Sequence, residues 1–156
     1  MSAIGFIGGL PPNLPRARQL RAEFLARLAS ADRMTVAAIG TSIEAGSGGV
    51  SWLVSALARG TADGVNLALA TAQSIRAVGG SVWSGGSFLP DIQTQLGAAI
   101  ADRPDVLFCG GMVNDKASWT GATVSNAAFM AEMQKCKTVA DRCIAAGIFP
   151  VFFGDM

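Results

Sequence analysis

Apolar residues recur along this chain with two different periods. Leu20, Phe24 and Leu28 fall four apart, with Arg16, Arg18, Arg21 and Arg27 largely off their line. That spacing predicts an amphipathic helix over about residues 16–30, its arginines forming the wet face. Pro15 suits the start of such a helix, where its missing N–H costs nothing. The run Val36-Ala37-Ala38-Ile39 is apolar without alternation, as in a strand buried on both faces. Residues 51–58 read as a helix with Trp52, Val54 and Leu57 among its apolar positions, and Ile92, Leu96 and Ile100 mark another over 90–101. Between them the pattern is ambiguous: 65–78 fits a helix or a pair of strands, and 81–84 an extended segment. Residues 106–109 make a second buried strand, introduced by Arg103-Pro104-Asp105. Phe129, Met133, Cys136, Ala140 and Cys143 then step by four and three along a long helix stopped at Gly147, and 148–153 form a further strand.

Strands alternating with helices predict the α/β class, a parallel sheet covered on both faces. Residues 1–15, rich in glycine and proline, read as an irregular lead-in, and 16–156 as one domain. No internal repeat is visible.

Composition narrows the picture. Hydrophobic residues make up 51% of the chain and charged residues only 15%, yet no apolar run approaches the roughly 18 residues of a membrane helix. The surplus fits strands buried on both faces, or surface that another chain covers. A net charge of +1, without acidic or basic blocks, gives no long-range attraction to nucleic acid. The N-terminus lacks the basic start, long apolar stretch and small-residue cleavage site of a signal peptide. Cys109, Cys136 and Cys143 lack metal-type clustering and read as buried free thiols, and no metal or cofactor is expected.

In open parallel sheets, ligands bind beyond the carboxyl ends of the strands. Three glycine-bearing stretches head there: Gly40-Thr41-Ser42, Gly85-Gly86-Ser87, and 110–115 after the DVLFC run. Each combines backbone that a ligand can approach closely with small polar groups. On residue chemistry alone, Ser42 is either a nucleophile on a strand pedestal or the cap of a following helix. Asn114-Asp115 is likewise either a functional pair or a turn. Glu44 and Lys116 read as solvated loop charges, and Trp52, Trp83 and Trp119 as packing residues.

Taken in order, these stretches resemble the blocks of the SGNH, or GDSL-type, hydrolases. Gly40-Thr41-Ser42-Ile43 is similar to the family's G-D-S-[LI], and EAGSGGVSWLVSAL to the helix that follows it. GGSFLPDIQTQL resembles the second block, its register favouring Gly86 over Gly85, and DVLFCGGMVND the third, G-x-N-D. The likeness spans about residues 16–153. It implies a three-layer α/β/α flavodoxin-like fold and ester hydrolysis through an acyl-enzyme on Ser42. The backbone N–H groups of Ser42 and Gly86 and the side-chain amide of Asn114 would form the oxyanion hole, where each donor can matter by a few kcal/mol. Asp115 would brace its loop. Substrates implied are acyl or acetyl esters, including those of carbohydrates. The helix ahead of the first strand is similar to that of family members embedded in phage tail and other surface-acting proteins.

Three departures stand out. Thr41 replaces the usual aspartate, and one extra residue separates glycine from Asn114 in the third block. The family's last block, D-x-x-H, has no counterpart, and the chain contains no histidine. A domain lacking its last strand and helix is therefore expected, with little turnover from this chain alone, because a serine without a base is a poor nucleophile. Such a domain would associate with itself or with a partner segment covering the exposed sheet edge. The rival reading is a non-catalytic binding or assembly module that retains the scaffold.

Overall fold

The structure, a computed structural model, describes residues 14–30, 32–41, 45–46, 52–62, 66–79, 92–110 and 126–152. In chain order its elements are α1 (Leu14–Ala29), β1 (Met34–Ile39), α2 (Trp52–Ala62), β2 (Leu67–Leu69), α3 (Ile92–Ala101), β3 (Val106–Cys109), α4 (Asn126–Ala145) and β4 (Phe149–Phe152). The four strands form one all-parallel sheet in the order β2-β1-β3-β4. Val36 pairs with Val106 and Ile39 with Cys109, while Val106 and Cys109 pair onward with Phe149 and Phe152.

Side-chain alternation divides the core into two layers. Ala37, Ile39, Leu107 and Cys109 face Ile92, Leu96 and Ala99 of α3 and Val139 and Cys143 of α4. Val36, Ala38 and Val106 face Leu53 and Leu57 of α2, with Phe24 of α1 packed alongside. The fold is thus α/β in three layers, as the alternating pattern predicts. Both faces of the central strands are dry, which is why MTVAAI and VLFC read as unbroken apolar runs. Each fully buried leucine or isoleucine here contributes about 1.5–3 kcal/mol.

Pro150 lies in β4, at the edge of this sheet. Phe149 donates its N–H to the Asp105 carbonyl, so the parallel alternation turns position 150 outward, where a missing N–H breaks no ladder bond. Gly147 ends α4 in a left-handed conformation, φ 77°. Ile148 N–H reaches the Cys143 carbonyl and Gly147 N–H that of Ile144, the paired bonds of a Schellman stop.

Several expectations are corrected. Arg27 is not part of a purely wet face: its guanidinium grips Asp105 at 2.6 and 3.3 Å, while Leu28, expected inside, is 42% exposed. Partner choice overrides periodicity there, because the charge pair lies where α1 meets the sheet. Among the described side chains of α2, Leu53 and Leu57, four apart, are buried, and Val54 faces solvent. Of the two alternatives for 65–78, the described residues 66–78 take the extended one: after β2, a turn at 70–73 returns the chain to β1, where Ala38 bridges Ile75. Cys109 and Cys143 are buried free thiols, whereas Cys136 is only half-buried. The 81–84 segment lies outside the described residues.

Candidate functional site

The sheet's strand order reverses direction between β1 and β3. From β1 the chain moves through α2 to β2 on one side, then crosses back over β1 through α3 to reach β3 on the other. Such a switch point opens a crevice at the carboxyl ends of the two strands. There the strand exits are tied together: Gly110 N–H donates to the Ile39 carbonyl at 3.0 Å. Gly40 and Gly110 are both buried.

Gly40 carries a φ of 153°, a value that side chains avoid and glycine tolerates. Its N–H donates to Oε1 of Gln95 at 2.8 Å. Gln95 lies in the first turn of α3 and is only 4% exposed, a polar residue set among Ile92, Leu96 and Ala99 on the buried face. Thr41 follows, fully buried, and its carbonyl accepts the Ala45 N–H at 3.0 Å. A buried Thr41 suits this crowded floor without the charge that an aspartate would bring into it.

Ser42, Gly86 and Asn114 lie outside the described residues, as do Gly85, Glu44, Asp115, Lys116, Trp83 and Trp119. What the structure gives is their approach: Ser42 comes one residue after Thr41, and Asn114 four residues after Gly110. Gln95 was not singled out by the sequence. A lone amide within the apolar line of a helix was the available signal, because a buried amide needs a partner.

The opposite end of the strands is occupied by structural contacts. The Asp105 carboxylate accepts Arg27, the Thr35 N–H at 2.7 Å and the Thr35 hydroxyl at 2.9 Å. Burial alone would raise the Asp105 pKa. The hydrogen bonds from Arg27 and Thr35 and the Arg27 charge outweigh it and hold the pKa below its ordinary value. A cleft of about 110 Å³ beside this pair, lined by Phe24 and Phe149 among others, is small for a ligand pocket. The two rings stack with centroids 4.5 Å apart.

Among the described residues no group of three or more acidic, cysteine or histidine side chains is arranged to hold a metal ion. Among them too, no helix is long and apolar enough to cross a membrane. No family model matches the chain, and no curated protein matches its sequence.

Proposed function

We propose that the chain is the scaffold of a serine ester hydrolase of the SGNH type, with Ser42 as nucleophile and Ser42 N–H, Gly86 N–H and the Asn114 amide as oxyanion donors. The observation that carries this reading is the pairing of the β1 and β3 exits, Gly110 N–H on the Ile39 carbonyl. The loops bearing Ser42 and Asn114 thereby start from neighbouring positions, on the edge of the sheet where ligands bind in this architecture. A serine that follows directly on a buried glycine–threonine pair at the end of β1 suits a nucleophile held on a rigid strand.

The substrate class is an acyl or acetyl ester, carbohydrate esters included. With no histidine in these 156 residues, no imidazole base is available among them. Removing a triad member costs about four or more orders of magnitude, and the oxyanion hole and binding supply what remains. Turnover of p-nitrophenyl acetate by the chain alone is therefore slow, and added imidazole raises it. Ser42→Ala abolishes the imidazole-dependent rate above that of free imidazole. Equal rates for the chain and Ser42→Ala would contradict the enzyme reading.

The absence of histidine favours one second reading, a binding or assembly module that keeps the scaffold without turnover. Association belongs to both readings. The composition is apolar, and Phe152, on the edge strand β4, is 40% exposed. Sedimentation at tens of micromolar shows a dimer or larger species under this proposal, and a clean monomer contradicts it.

A further inference from the structure

We infer that Gln95 is a positioning residue that sets the direction in which the chain leaves β1, and with it the presentation of Ser42. This rests on the proposed role of Ser42 but adds a residue and a device to it.

The backbone bonds beside β1 follow a regular parallel ladder up to Gly40. Ala38 N–H donates to the Ser74 carbonyl, and Arg76 N–H to the Ala38 carbonyl. The next rung has only half its bonds: Val78 N–H donates to the Gly40 carbonyl. In a regular continuation Gly40 N–H would donate to the Arg76 carbonyl. It turns instead to the Gln95 side chain, which is 55 residues away in sequence and belongs to a helix on one face of the sheet. The strand is thus released from its neighbour by a side chain from α3. The glycine that permits this has a φ of 153°, outside the range of strand residues.

A water molecule or a shorter polar side chain would satisfy the Gly40 N–H equally well. An amide carried in the first turn of a packed helix does more, because it fixes the direction of the bond. Gln95 is held by its neighbours Ile92, Leu96 and Ala99, whose exposures are 1%, 0% and 0%. The exit of β1 is therefore referenced to α3, the element that follows the second glycine block of residues 85–87. Displacement of a reacting group by about 1 Å costs about a hundredfold in rate, so such a link is worth keeping rigid.

The test compares Gln95→Leu, which fills the same space without an acceptor, with Gln95→Glu, whose carboxyl keeps an acceptor oxygen in either protonation state. Two readouts are taken on each variant: backbone amide exchange, and the rate of Ser42 phosphonylation by a fluorophosphonate in added imidazole, which stands in for the base the chain lacks, followed by peptide mass spectrometry. In Gln95→Leu, exchange at Gly40, Thr41 and Ala45 rises about tenfold or more while that of Leu107 and Val139 is unchanged, and phosphonylation slows about tenfold or more. Gln95→Glu recovers most of both. Exchange that rises throughout the core would mark a merely structural role and overturn the inference, as would unchanged exchange at Gly40. If Ser42 of the parent chain resists the probe, the hydrolase reading fails, and the exchange arm still decides whether Gln95 governs the strand exit. If the parent reacts and Gln95→Leu reacts equally fast, the inference fails and the hydrolase reading stands.

Discussion

Arg27 and Asp105, 78 residues apart, meet in a two-pronged ion pair at 2.6 and 3.3 Å that fastens α1 to the amino end of the sheet. The same carboxylate accepts the N–H and hydroxyl of Thr35, while Asp105's own N–H donates to the Thr35 carbonyl. One side chain thus joins α1, β1 and β3, and the backbone carbonyl beside it receives β4 through Phe149.

Acid should loosen this clamp in a defined direction. The Asp105 pKa is lowered in the folded state, so its contribution is complete above the ordinary value of 3.8 and is lost as pH falls through the folded value. Asp105→Asn should cost about 2 kcal/mol at pH 7, allowing for the partial exposure of the pair. Denaturant titrations should show the gap between parent and variant shrinking below pH 4. A gap that does not change with pH would disprove the linkage.

Thiol chemistry should sort the three cysteines. Burial pushes the Cys109 thiol well above its ordinary value, with the neighbouring Cys143 and Cys136 adding to the effect. Burial likewise pushes Cys143 up to about 12, partly offset by Arg142. Since the thiolate is the reactive form, iodoacetamide at pH 8 should modify half-buried Cys136 first in the native protein. Cys109 and Cys143 should react only as fast as the protein opens. Peptide mapping over time decides, and rapid loss of Cys109 would contradict this ordering.

The stop of α4 is testable by a single methyl group. A Cβ at Gly147 would meet Arg16 Nη2 at 3.4 Å, an ordinary contact, so the cost of Gly147→Ala comes from its φ of 77°. It should amount to about 1–2 kcal/mol, a fall of roughly 2–8 °C in Tm. An unchanged Tm would mean that the helix ends by another route.

The sequence made the sheet readable wherever burial was two-sided, because 36–39 and 106–109 are apolar without a break and each ends in glycine. Gly147 was readable as a stop because a left-handed residue ends helices in a recognisable way. The segment after β2 was not, since Ala70, Ala77 and the intervening polar residues fit either period, and the bridge from Ile75 to Ala38 is a long-range choice. Arg27 was misread for a related reason: its partner lies 78 residues away, and helical spacing carries no information about it. At the site, the strand exits were legible from glycine and small polar residues. Gln95 was not, because the diversion of a backbone N–H from a ladder is visible only once the ladder is seen.

The distance between Ser42 Oγ and Asn114 Nδ2, measured in a crystal of the chain, tests the central proposal most directly. Convergence on one oxyanion site places the two within about 6 Å, close enough for both to reach a single bound oxygen at about 3 Å. A separation beyond about 8 Å, with the Asn114 amide turned away, would contradict it, since hydrogen bonds of about 3 Å from both groups then cannot share an acceptor.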